Sequence, residues 1–192
     1  MPMRVLVTQP AERRERPRRH WRFWLPLALQ VLIVLAVPAP KLAAYAWGTP
    51  VVLAVAPVDP YDLLRGRYVE LGYELDRPSL LQSLPGWQGD WAHGEHEVFV
   101  TLVPGKANEA WRAVAIADTL PETLPEGAVA LKGQLKSGQA DWGLGQYYMG
   151  EAIGDEAEAG LQRAPSSARA EVRVDGRGQA VLVGLWIAGK RY

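Results

Sequence analysis

The densest group of chemically able side chains lies at residues 58–75, VDPYDLLRGRYVELGYEL. Asp62, Arg65, Tyr68 and Glu70 fall within nine residues there. Just ahead of them, Asp59-Pro60 starts a turn, because proline fixes its own φ and restricts its neighbour. Gly66 lets the chain turn abruptly into a strand. An arginine and a tyrosine at a sheet's end can bind an anion, a carbohydrate or a partner loop. The plainer reading is an ion pair with a tyrosine packed across a turn, since charges at turns are solvated and contribute little. Tyr68 and Tyr73 are an odd number of residues apart, so they leave a strand on opposite faces.

A second aromatic and acidic group is Tyr147, Tyr148 and Glu151. Glu151 precedes a short helical stretch, where a carboxylate favours the helix dipole. No sequence rule places it beside Tyr68. His93, Glu95, His96 and Glu97 offer four possible metal ligands in five residues. Zinc sites draw ligands at helical or knuckle spacings, and HGEHE entering a strand matches neither. Ser79, Ser83, Ser137, Ser166 and Ser167 stand in loops without a nucleophile elbow or an S-x-x-K arrangement. Gly143-Leu144-Gly145 is too short to read as a phosphate loop. The residues therefore point to no metal, no cofactor and no named catalytic group.

The elements that must position these residues are mostly strands. Pro50–Ala56 is a short apolar run rich in β-branched residues. Arg67–Leu75 alternates, with Val69, Leu71, Tyr73 and Leu75 on one side, the period of a half-buried strand. His96–Val103, Ala110–Ala117 and Ala128–Leu135 have similar character. Ala168–Val174 and Gln179–Ile187 flank Asp175-Gly176-Arg177-Gly178, a hairpin signal. One short helix is expected at about Asp155–Arg163, and residues 76–95 read as a long surface loop. The fold class is mainly β, an antiparallel β-sandwich or small barrel with one short helix.

Residues 66–73 resemble the motif of the GDYXXLXY family of membrane-anchored bacterial proteins. Gly66, Tyr68, Leu71 and Tyr73 match it, and Arg67 stands where the family has aspartate. The surrounding Val58-Asp59-Pro60 and Asp62-Leu63-Leu64-Arg65 resemble the family too, as does Tyr147-Tyr148-Met149-Gly150-Glu151 before a short acidic helix. The resemblance implies a location and a fold rather than a reaction. It also implies a neighbour, because members often occur beside polytopic membrane proteins. The arginine at position 67 removes the carboxylate on which metal binding or proton transfer would rest.

Composition agrees with an anchored domain. The 192 residues carry no formal net charge and no cysteine, so disulfides and zinc–thiolate sites are excluded. Charge is unevenly divided. Residues 1–22 hold seven arginines against two glutamates, whereas residues 49–192 hold thirteen basic and nineteen acidic residues. A basic tip can signal nucleic-acid binding, but an apolar run follows this one, so it reads as a membrane flank and no nucleic-acid partner is expected. Residues 23–40 are eighteen consecutive uncharged residues, close to the length that spans a bilayer. Trp21, Trp24, Tyr45 and Trp47 supply aromatic belts, and the arginines hold the N-terminus in the cytoplasm. Pro26 is expected in the helix's first turn, and Pro38 and Pro40 to kink or end it.

The expected organisation is a cytoplasmic tail at 1–22, a single transmembrane helix at 23–47 and a β-rich domain at 48–192. That domain lies outside a bacterial inner membrane, in the periplasm or at the cell exterior. Ala44-Tyr45-Ala46 offers the alternative of a cleaved signal peptide. The leading expectation for function is non-enzymatic: an accessory subunit or binding module for an integral membrane partner, with the lipid bilayer as the other contact. Its candidate binding residues are Asp59, Asp62, Arg65, Gly66, Tyr68, Tyr73, Tyr147 and Glu151. The alternatives are an extracytoplasmic hydrolase or carbohydrate-binding enzyme using Glu151 with Tyr68 or Asp62, and a structural envelope protein.

Overall fold

The computed structural model describes residues 21–56, 68–106, 109–148, 159–161, 163–164 and 167–192, with the side chains of residues 22, 68–70 and 146–148 excepted. The chain divides into two compact units, residues 1–38 and 39–192. In the first, helix α1 runs from Trp21 to Ala36. Its apolar side chains are uncovered: Phe23, Trp24, Leu25, Leu29, Leu32 and Leu35 are all more than half exposed. Pro26 lies inside α1 rather than in its first described turn. The chain turns at Val37-Pro38, and α2 follows from Ala39 to Trp47. The proline pair thus divides what the sequence suggested was one helix, because each ring removes a helical donor. No single described helix is long and apolar enough to cross a membrane, although α1 and α2 pass that test together by length and composition.

The second unit is built on two antiparallel sheets. Five strands order as β11-β10-β9-β1-β3 and four as β5-β4-β6-β7. The first sheet uses β1 (Thr49–Ala56), β3 (Gly72–Tyr73), β9 (Arg169–Val174), β10 (Ala180–Ile187) and β11 (Lys190–Arg191). The second uses β4 (Glu95–Val103), β5 (Arg112–Ala117), β6 (Val129–Lys136) and β7 (Gln139–Asp141). A separate two-stranded ribbon joins β2 (Tyr68–Glu70) to β8 (Gln146–Tyr148). Alternation along the long strands sends Val51, Leu53 and Val55, then Val172, Val174, Leu185 and Ile187, into one apolar cluster. Val98, Val100, Leu102, Leu131 and Leu135 of the second sheet enter the same cluster. The two sheets therefore share a core, which provides most of the favourable burial.

Residues 76–95 correct the expectation of a surface loop. Pro78–Ser83 form a short helix, α3, and Gly89–Ala92 a 3-10 turn. Leu81, Leu84 and Trp91 are buried in the core. The Ile116 N–H donates to the Pro85 carbonyl at 3.0 Å, pinning the segment to β5. Its polar composition hid a few apolar residues that all face inward. Of the helix expected at 155–163, only residues 159–161 and 163 are described, and these are helical.

Candidate functional site

The motif strand does not run unbroken, because its hydrogen-bonding partner changes midway. β2 pairs with β8 through Tyr68–Tyr148, Val69–Tyr147 and Glu70–Gln146. At the next residue the Leu71 N–H donates to the Gly145 carbonyl at 2.9 Å. β3 then pairs with β1 through Ala56–Gly72 and Val55–Tyr73. The sequence's buried side survives this exchange, since Leu71, Tyr73 and Leu75 are all in the core. The motif segment thus bridges the ribbon and the five-stranded sheet.

Tyr73 is the hub. Its ring is 2% exposed, and its hydroxyl donates to the Leu144 carbonyl at 2.8 Å. Burial pushes its phenol well above the ordinary tyrosine range, with the Asp76 charge adding to the shift. The group is therefore held protonated, as a hydrogen-bond donor. Tyr73 also caps the 3-10 turn Glu74–Asp76, where Asp76 reaches back to accept its backbone N–H at Oδ2, at 2.6 Å. The other carboxylate oxygen accepts Trp142 Nε1–H at 2.8 Å. Burial raises the Asp76 carboxyl above its usual range and neighbouring Asp141 adds to this, while the two hydrogen bonds oppose it. Asp141 in turn accepts the Gly143 N–H at 2.9 Å.

The result is a clasp. Residues 68–76 grip residues 142–148 by backbone pairing, one phenol, one carboxylate and one indole. The phenol's proton and both Asp76 oxygens are engaged within it, so this geometry positions chain segments.

The candidate residues fall into three groups. Tyr73 is buried in the clasp. Tyr68 and Tyr147 lie on the paired strands β2 and β8, so the structure joins two segments that no sequence rule connected. Asp59, Asp62, Arg65, Gly66 and Glu151 lie outside the described residues. Sequence reasoning passed over Asp76 and Trp142. The available signal for Asp76 was an acidic residue three positions after the strand's last, half of a capping box. Trp142 is 66 residues from Asp76 and gave no local signal.

The histidine-rich loop is tied up locally. His96 Nε2 lies 2.7 Å from the His93 carbonyl oxygen, and Glu97 pairs with Lys132 at 2.6 Å. Among the described residues no three His, Asp or Glu side chains are grouped to hold a metal ion.

Fold and clasp together define a class of protein: a two-sheet β domain that follows apolar helices and is locked by a tyrosine-bearing motif segment. The family model of the GDYXXLXY protein matches residues 30–185, and the chain belongs to that family. No curated protein and no solved structure is significantly similar to it.

Proposed function

We propose that the protein is a single-pass, membrane-anchored accessory subunit whose β domain serves an integral membrane partner. The carrying observation is the uncovered apolar surface of α1, where Phe23, Trp24, Leu25, Leu29, Leu32 and Leu35 stand exposed. Such a surface is stable in lipid or against other apolar helices. The seven arginines at 4–22 would hold the N-terminus in the cytoplasm, leaving the domain periplasmic or extracellular. Gln30 adds a polar group to the apolar helix, able to hydrogen-bond to a partner helix. The domain itself reads as an antiparallel sandwich.

A second reading, in which the motif is chiefly a folding element, is favoured by the burial of Tyr73 and the engagement of its hydroxyl.

The test is purification of the tagged full-length protein from mild detergent, with co-purifying proteins identified by mass spectrometry. A stoichiometric polytopic partner that disappears with Tyr68→Ala, in a protein still folded, supports the accessory role. A folded, inserted protein that brings down no partner overturns it.

A further inference from the structure

Helix α2 ends against β9 and β10, and the junction is polar. Arg173 Nη1 donates to the Tyr45 carbonyl at 2.9 Å and reaches that of Ala46 at 3.5 Å. These are last-turn carbonyls, which lack partners within the helix and carry its negative dipole end. Beside them opens a cleft of about 270 Å³ lined by Tyr45, Ala46, Glu171, Arg173, Val183 and Arg191. Arg191 Nη2 lies 3.3 Å from Glu171 Oε2. Gly184 makes room for this, since a Cβ there would stand 3.0 Å from Arg191 Nε. The Arg191 guanidinium is 5.9 Å from the Trp186 ring centre, and Trp186 Nε1–H points at Glu171 Oε2 from 3.4 Å. Strand register places Arg169 and Arg191 on either side of Trp186.

The charge of this face runs against that of the domain. Residues 49–192 carry six more acidic than basic residues, yet among the described residues that line the cleft Arg173 and Arg191 flank one carboxylate, Glu171, and Arg169 stands on the neighbouring strand position. Tyr45, Trp47 and Trp186 are exposed in the same region. Arginine, tryptophan and tyrosine each combine an apolar body with a polar tip, the composition suited to a lipid headgroup layer. The position in the chain agrees. α2 has nine residues, about 13 Å of helix, and begins just past the apolar run of α1.

We propose that this cleft and the β9–β11 face around it seat the domain on anionic phospholipid in the leaflet where the anchor emerges. Arg173 and Arg191 hold the headgroup phosphate, since guanidinium forks match phosphate oxygens in pairs. Glu171 keeps Arg191 aligned and limits the net charge, so zwitterionic lipid is held less well. This rests on the anchor reading.

The chain has no cysteine, so Val183→Cys supplies one labelling site in the cleft for an environment-sensitive fluorophore. The full-length protein is placed in vesicles of phosphatidylcholine alone, or of phosphatidylcholine mixed with phosphatidylglycerol. The label should report docking only with phosphatidylglycerol, and salt should reverse it. Arg191→Gln should lower the docked-to-undocked ratio about five-fold, and Arg173→Gln with Arg191→Gln further. Glu171→Gln should raise it. Circular dichroism checks that each variant is folded, and Arg191→Gln, at a sheet edge, remains informative if Arg173→Gln disturbs α2. Equal docking in both lipids, from protein that co-floats with the vesicles, overturns the proposal while leaving the anchor intact. So does phosphatidylglycerol dependence that ignores the arginines. Failure to co-float with either vesicle sinks the anchor reading and this inference with it.

Discussion

Tyr73 shows how a motif tyrosine can look chemical and act structurally. Its ring fills core space and its hydroxyl satisfies a carbonyl that would otherwise be buried without a partner. Tyr73→Phe keeps the ring and orphans the Leu144 carbonyl, a loss of about 1–2 kcal/mol that a urea midpoint would show. If the clasp only organises the fold, partner co-purification should survive that change. Asp76 makes a pH-dependent prediction. Its folded-state carboxyl is raised, so protonation favours the folded protein. That contribution is complete below the ordinary carboxylate value of about 4 and is lost as pH rises through the raised folded value. Asp141→Asn removes the neighbouring charge that raises it and still offers an oxygen to the Gly143 N–H. The midpoint should therefore fall less across that window in the variant than in wild type. An equal fall would remove Asp141 from the account.

At the scale of elements, Trp142, directly after β7, packs the clasp against the four-stranded sheet. A Cβ on Gly133 of β6 would collide with Cε3 and Cζ3 of Trp142. An indole cannot flex, so Gly133→Ala must swing the ring aside and pull Nε1 from Asp76. The expected cost is about 1–3 kcal/mol. Combined with Asp76→Asn the loss should be less than additive, because both changes break the same hydrogen bond; a denaturation double-mutant cycle measures this. The long strands were legible because Val51–Val55, Val98–Leu102 and Val172–Val174 alternate against one core, and periodicity records that. β7 and β11 were not. They are short and follow two-residue turns, Ser137-Gly138 and Ala188-Gly189, whose positive φ values were not signalled by an Asn-Gly or Asp-Gly pair. Nor could alternation in residues 67–75 reveal that the partner strand changes at Leu71, since periodicity encodes a face and not a neighbour. The clasp stayed hidden for the same reason: its halves are joined by topology.

For the whole molecule, the question is whether the β domain is complete without the segment before Gly48. The Ala44-Tyr45-Ala46 sequence that resembles a processing site lies inside α2, and Ala44 is fully buried. α2 rests on β9 and β10, the Gly48 N–H donates to the Ala44 carbonyl at 2.9 Å, and Arg173 holds the next two carbonyls. Cleavage after Ala46 would discard a packed element and uncover the apolar surface beneath Ala44. A chain beginning at Ala39 should therefore be more stable than one beginning at Gly48, by about 1–2 kcal/mol from the buried methyl and the lost hydrogen bonds. Urea midpoints of the two chains measure the difference, and the N-terminus of protein extracted from membranes gives an independent reading. A stability gap together with an intact N-terminus means that α2 belongs to the working domain and ties it to the apolar run ahead of it. Equal midpoints and an N-terminus at Trp47 would instead make residues 1–46 a discarded signal. The arginine-lined cleft would then lose Tyr45, Ala46 and its link to the bilayer together.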